Sequence, residues 1–367
     1  MLETLRRYRR DLHRTPELGF ELPKTIAYVE TILAPLGCTL LYPAPSTVCA
    51  FFDAGKPETI AFGADMDALP VEEATGAAYA SAHAGKMHAC GHDGHTSMLL
   101  GLASIVQKRL QTLHSNVLLI FQPAEETTGG AKSICESGLL ERYGVKYIFG
   151  IHIWPELPAG EIWTKPGAVM AKTGIVHVEI KGKSAHVARS EEGADALYAG
   201  VEFLHNAYGV AESAPPLHER RLLKFGFMQS GTVENALSAH TDIKGTMRTY
   251  DSDLHARMVD ALREDAAHIG EKTGCCIRVS VSEGYPPVIN DKALYSRVME
   301  HLGENAPMLL EKPSLTGEDF SFYQMRVPGV FFFLGTGREI PLHAATFDFD
   351  EAILGSGLRL YERLLDI

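Results

Sequence analysis

Four strand-length runs in this chain, residues 59–63, 116–121, 146–150 and 330–334, are rich in apolar residues but do not alternate. A strand with one wet face reads as polar at every second position, so these four are read as strands covered on both faces. Helical patterns separate them. In residues 96–110 Met98, Leu102, Ile105 and Val106 recur at helical spacing, with Asp93 placed as the N-cap. Near the start, residues 9–14 read as the end of one helix, 15–19 as a turn and 24–36 as a second helix. Strands covered on both faces by helices make a layered α/β domain.

From about residue 173 the texture changes. Residues 175–180 alternate as a half-exposed strand, followed by a helix over 192–212, strands over 222–227 and 241–249, a helix over 253–273 and a strand over 276–281. The order β-α-β-β-α-β is the ferredoxin-like arrangement. Because α/β texture resumes afterwards, it is read as an insertion: residues 1–172 and 292–367 form one discontinuous domain and 173–291 a second.

A net charge of −12, with no long basic run, argues against nucleic acid or an anionic membrane surface as partner. No apolar stretch approaches the ~20 residues of a membrane span. The first seven residues lack the apolar core and small-residue cleavage site of a secretory signal, so a cytoplasmic location is expected. The cysteines at 38, 49, 90, 135, 275 and 276 have no disulfide-framework spacing, which fits a reducing compartment. All except Cys90 are read as small buried side chains.

Polar clusters fall where these strands end, the usual place for a site in an open α/β sheet. Asp65 and Asp67 follow the first strand, Glu125 and Glu126 the second, and His152 the third; His343 lies beyond the last. Between the first two comes Met87-His88-Ala89-Cys90-Gly91-His92-Asp93-Gly94-His95, the densest group of metal-ligand types in the chain. Gly91 permits a tight turn that brings Cys90 and His92 to one ion, and the helix that follows favours a Cys90 thiolate. A Cys90 nucleophile with a histidine base is the alternative chemistry. Of the adjacent glutamates, one is expected to ligate metal and the other to take a proton from metal-bound water. His88 and His95 are read as supporting neighbours. Asp65 and Asp67 are not separated by these arguments.

These segments resemble the aminoacylase and carboxypeptidase family of two-metal peptidases, metallopeptidase family 20, in its amidohydrolase branch. The resemblance rests on Asp65-Met66-Asp67-Ala68-Leu69-Pro70, residues 87–95, Gln122-Pro123-Ala124-Glu125-Glu126 and Gly150-Ile151-His152. It continues through Gly182-Lys183-Ser184-Ala185-His186, Gly245-Thr246-Met247-Arg248-Thr249, Gly317-Glu318-Asp319-Phe320 and Leu342-His343. It implies two divalent transition-metal ions (Zn, Mn, Ni or Co) on Cys90, His92, Glu126, His152 and His343, with Glu125 as general base and Asp65 as the active-site aspartate. The inserted domain is implied to be a lid that dimerises. His186 would then reach the partner subunit's site to stabilise an oxyanion, with Arg248 and Asn235 near the substrate. The departure is Ser184-Ala185-His186-Val187-Ala188-Arg189, which lacks the Gly-Gly-His-Ala common among relatives. The implied activity is hydrolysis of the amide of a small N-acyl amino acid, such as N-acetyldiaminopimelate, by a cytoplasmic homodimer. A dipeptidase or aminopeptidase on the same site, or a catalytically inactive metal-binding protein, are the competing expectations.

Overall fold

Strands form where the apolar runs fall, and they run longer than the runs. The computed structural model describes residues 1–215 and 219–367. In chain order the elements begin with α1 (Leu2–His13), α2 (Pro23–Leu33), β1 (Thr39–Leu41), β2 (Val48–Phe52), β3 (Thr59–Asp65) and α3 (His92–Arg109). Next come β4 (Asn116–Gln122), α4 (Ala131–Glu136), α5 (Leu139–Arg142), β5 (Val145–Trp154), β6 (Ile162–Thr164) and β7 (Gly167–Met170). Then follow β8 (Lys172–Lys181), α6 (Ala196–Ser213), β9 (Leu222–Ser230), β10 (His240–Thr249), α7 (Ser252–Thr273) and β11 (Cys276–Val281). The chain finishes with β12 (Val288–Asn290), α8 (Lys292–Leu302), β13 (Met308–Leu309), α9 (Ser321–Gln324), β14 (Gly329–Gly335) and α10 (Leu354–Leu364). Two compact units result: Met1–Val169 with Ile289–Lys312 and Asp319–Ile367, and Met170–Val288 with Pro313–Glu318.

In the first unit eight strands form one sheet in the order β1-β2-β4-β3-β5-β14-β6-β13. Its centre, β4-β3-β5-β14, is parallel, and every residue of β3, β4 and β14 is buried, as expected for strands covered on both faces. Pairing brings Asp65 beside Gln122 and His152 beside Phe333, so three polar strand ends meet at one edge of the sheet. β5 runs through His152 to Trp154, which places that histidine inside the strand and not after it. The flanking strands β1, β2, β6 and β13 were not singled out in sequence; they are short or paired antiparallel at the rim of the parallel core.

Helix α3 is buried from His92 through Ala103. It starts earlier than the sequence suggests. Gly91, at φ 85°, occupies the N-cap position, and a Cβ there would press Ile153 of β5 at 3.3 Å. Asp93 therefore lies inside the first turn, and its carboxylate is free for other partners. Leu5, Tyr8 and Leu12 form the buried face of α1, while Glu17 accepts from the N–H groups of Lys24 and Thr25 to cap α2.

The second unit carries an antiparallel sheet in the order β11-β8-β10-β9, with the element order β-α-β-β-α-β over β8 to β11. Val176, Val178 and Ile180 are buried with residues of α6 and α7, and the alternate residues Ile175, His177 and Glu179 are not. Asp195 caps α6 through Leu197 and Tyr198, and Asp251 caps α7 through Leu254. Thr316 in the returning segment Pro313–Glu318 accepts from Ala171.

Candidate metal centre

The site grows from the ends of β3, β4 and β5 and the start of α3. Thr96 on the first turns of α3 donates to the Asp65 carbonyl at 2.7 Å, which fixes the helix against the end of β3. Cys90, His92 and His152 then present ligand atoms within 4.8 Å of one another, and Cys90, Glu126 and His343 do the same. Cys90 is common to both groups. All these residues belong to the first unit. His343 is held at a positive φ of 68° while its N–H donates to the Ala89 carbonyl at 2.8 Å, so its backbone is fixed although its side chain is half exposed.

Hydrogen bonding of the rings separates ligands from supports. His92 Nδ1 lies 2.8 Å from the Asp67 carbonyl oxygen and His152 Nδ1 lies 2.7 Å from that of Ile153. A carbonyl only accepts, so each Nδ1 donates a proton there and Nε2 is the atom each ring can offer an ion. His92 Nε2 is buried without a hydrogen-bond partner, and His152 Nε2 faces Cys90 Sγ at 3.5 Å. His95 has the opposite arrangement. Its Nε2 accepts from the Ile153 N–H at 2.9 Å, so Nδ1 bears the proton; it lies 3.4 Å from Asp65 Oδ2 without a hydrogen bond to it. His95 thus has no lone pair left for an ion. His88, packed 6.3 Å from the His13 ring, is held neutral by burial, with its pKa pushed down to about 3.

The two aspartates separate as well. Asp67 is fully buried, and its two oxygens accept the N–H groups of Glu125 at 3.0 Å and Glu126 at 3.1 Å, so one carboxylate fixes the backbone of both glutamates. Asp65 instead turns its carboxylate toward His95 and His92, 4.0 Å from His92 Nε2.

Electrostatically the cluster is an excess of buried acid. Burial raises the pKa of Asp65 and of Asp67. Burial and the charges of Glu126 and Glu125 push the Cys90 thiol well up. Burial alone would lower His92, but Asp67, Asp65 and Glu126 hold it up at about 10. A divalent cation would reverse this balance, stabilising the Cys90 thiolate and displacing the proton that these acids hold on His92. A sulfur, imidazoles and one carboxylate suit a borderline transition metal. The residues present therefore fit a metal pair.

Behind the ligands lies a network that sequence reasoning missed. Asp93 accepts from Arg9 Nε at 3.1 Å and from His13 Nδ1 at 2.7 Å, and Arg9 also reaches Asp348 at 2.6 Å. Arg9, His13 and Asp93 are all about 1% exposed. The available signal was the i,i+4 spacing of Arg9 and His13 beside the apolar face of α1. The remaining predicted residues lie in the second unit. His186 and Asn235 are exposed neighbours, joined through the Val187 N–H to the Asn235 carbonyl at 3.2 Å. The Arg248 guanidinium donates to the Met247 carbonyl at 2.9 Å and to Thr246, on its own strand. Among the cysteines, Cys49, Cys135 and Cys275 are buried as expected, Cys38 is partly buried, and Cys276 is exposed because it opens the edge strand β11.

Residues 61–367 match the sequence profile of peptidase family M20/M25/M40. An N-acetyl-L-cysteine deacetylase of Bacillus subtilis is 35% identical over 366 residues, which cover 98% of this chain and 87% of that one. The N-acetyldiaminopimelate deacetylase of Streptococcus uberis is 34% identical, with 95% of each chain covered. Among solved structures, a dinuclear metal-binding M20 peptidase of Bacillus subtilis superposes with a TM-score of 0.87 at 30% identity, covering 99% of this chain and 97% of that one.

Proposed function

This chain belongs to peptidase family M20/M25/M40, and from that membership and the ring hydrogen bonding we propose that it hydrolyses the amide of small N-acyl amino acids on a pair of divalent metal ions. The observation that carries the reading is the matched pair of imidazoles, His92 and His152, each with Nδ1–H spent on a backbone carbonyl and Nε2 directed toward Cys90, Glu126 or both. Cys90, His92 and His152 would hold one ion and Cys90, Glu126 and His343 the other, with the Cys90 thiolate shared. When bound, such ions supply Lewis acidity toward the scissile carbonyl and toward water.

The rest is done by the chain. Glu125 takes the proton of the attacking water and passes it to the leaving amine nitrogen, and its backbone is fixed for that task by Asp67. Asp67 also holds His92 in its ligating tautomer through its own carbonyl, so one residue sets both the base and a ligand. The products are a carboxylate and a free amino acid. The deacetylase relatives support an N-acetyl or similar small acyl group.

A homodimer formed through the second unit is part of the proposal. Its support is an unpaired edge strand, β9, which carries Phe227 43% exposed, together with Leu197, Tyr198 and Val201 exposed on α6. His186 Nδ1 accepts from the Ala188 N–H at 3.1 Å, so its proton sits on Nε2 as a donor suited to an oxyanion in the partner subunit's site. Free thiols at all six cysteines support a cytoplasmic location; among the described residues no helix is long and apolar enough to cross a membrane.

The test is a panel of N-acyl amino acids set against free dipeptides, assayed on protein stripped by a chelator and reloaded with Zn, Mn, Ni or Co. Loss on stripping, recovery on reloading and preference for the N-acyl compounds are expected, with no acyl-thioester on Cys90 by mass spectrometry. Activity that survives complete metal removal, or a competent thioester at Cys90, overturns the reading.

A further inference from the structure

Glu125 and Glu126 lie on a loop, residues 123–130, whose crest is held by Asp67. What closes its base is a residue from much later in the chain. Asp319 is fully buried; one carboxylate oxygen accepts from Gln122 Nε2 at 2.6 Å and the other from the Ala131 N–H at 3.0 Å. Gln122 is the last residue of β4 and Ala131 the first of α4, so this one side chain joins the two ends of the loop. Gln122 Oε1 in turn accepts from the buried Tyr323 hydroxyl at 2.7 Å; the Asp319 carboxylate, which only accepts, fixes which way the amide faces.

The loop needs such a fastening. Ala124 sits at φ 63°, a left-handed conformation in which the Cβ of a non-glycine residue crowds the backbone, and its carbonyl gathers the N–H groups of Thr127 and Gly129. At the base, a Cβ on Gly130 would stand 2.2 Å from the Pro123 carbonyl oxygen, so the two arms of the loop touch with no room for a side chain. A loop pinched this tightly, with strain at its second residue, relaxes by opening at its ends. Those ends are the two groups that Asp319 binds.

We propose that Asp319 is a positioning residue: a buried carboxylate latch, backed by Gln122 and Tyr323, that closes the base of the loop and thereby sets Glu125 and Glu126. The inference rests on the reading of those glutamates as base and ligand. Both Asp319 oxygens accept from N–H donors, the pattern of an ionised carboxylate, and burial pushes its pKa up to about 7, so the assays belong at pH 8.

The hydrogen-bond polarity gives a swap experiment. Gln122→Glu sets two carboxylates face to face, and Asp319→Ala removes both acceptors; Asp319→Asn alone would let the Gln122 amide turn over, since the Tyr323 hydroxyl can accept as well as donate, so it is used only together with Gln122→Glu. The double variant restores every bond: the amide introduced at position 319 donates its NH2 to the carboxylate introduced at position 122 and accepts from the Ala131 N–H, while the second oxygen of that carboxylate accepts from Tyr323. On zinc-loaded protein Gln122→Glu and Asp319→Ala are each expected to lower kcat by roughly 10- to 100-fold, with KM little changed, and to weaken one zinc by a similar factor in competition with a chromophoric chelator. The double variant should recover both. Tyr323→Phe, which removes one outer bond, serves as a mild variant and should lower kcat by a few-fold without lowering zinc stoichiometry.

Parental kcat and zinc affinity in Gln122→Glu or Asp319→Ala, or no recovery in a double variant whose melting temperature matches the parent, overturns the latch. So does a lowered melting temperature with kcat and zinc affinity per folded molecule unchanged, since that is a merely structural role. Should Asp319→Ala fail to fold, Gln122→Glu, the double variant and Tyr323→Phe decide. Glu125→Gln, measured in parallel, separates the two ideas: if it turns over like the parent, the reading of Glu125 fails, while the zinc arm still tests the latch.

Discussion

Replacing Glu125 by Gln removes a proton carrier and leaves every proposed ligand in place, whereas replacing Glu126 by Ala removes a ligand and leaves the carrier. Glu125→Gln is therefore expected to keep two metal ions per chain and lose about 10²- to 10⁴-fold in kcat. Glu126→Ala should lose metal first, with activity partly restored by excess ion. Elemental analysis beside steady-state kinetics checks both, and the reverse pattern would exchange the two roles. Asp67 serves both neighbours through its side chain and His92 through its backbone. Spacing alone could not reveal this, because Asp65 and Asp67 are both carboxylates within two residues of the end of β3. What distinguishes them is the direction in which each carboxylate leaves the strand end.

At the scale of elements, α1 is tied to α3 by charge. His13 is buried against Asp93 and Glu73. Burial alone would lower its pKa, but the hydrogen bonds to those acids raise it from 6.5 to about 9. Its folded value is the higher one, so the stabilisation is complete below pH 6.5 and is lost as pH rises through 9, at most on the order of 3 kcal/mol. Thermal melts between pH 6 and 10 should show stability falling across that window, and His13→Gln should flatten the fall; an unchanged slope in the variant would mean that another group titrates there. This tie also shows what a sequence conceals. The parallel core strands, the ligand-rich segment 87–95 and the β-α-β-β-α-β order could be read directly, because burial on both faces and ligand chemistry leave local marks. The rim strands β1, β6 and β13, at two or three residues each, carry too few residues to show a period. Nor does a helix that reads simply as charged reveal that Arg9 and His13 point inward, since their acids lie 60 residues or more away.

For the whole molecule, the proposed dimer makes a sharp statement about His186. Losing one oxyanion donor costs roughly 10²- to 10³-fold in kcat, so His186→Ala should fall by that factor with metal content unchanged. Mixing His186→Ala with Glu125→Gln subunits should regenerate activity, because a hybrid dimer holds one site with both residues intact; no regain after proven subunit exchange means that His186 does not serve a partner. The sheet order has a further consequence, for how the protein is made. β14 lies directly beside β5, yet the whole stretch from β8 to β11 is synthesised between them. As the chain leaves the ribosome, β5 must wait with one edge bare while the consecutive strands and helices of the second unit can already assemble. The sheet closes only when β14 arrives, and His343 follows it. A nascent chain halted between His152 and His343 carries the proposed base and four of the five proposed ligands but lacks the fifth, so the site proposed for the second ion is completed only when that histidine is made.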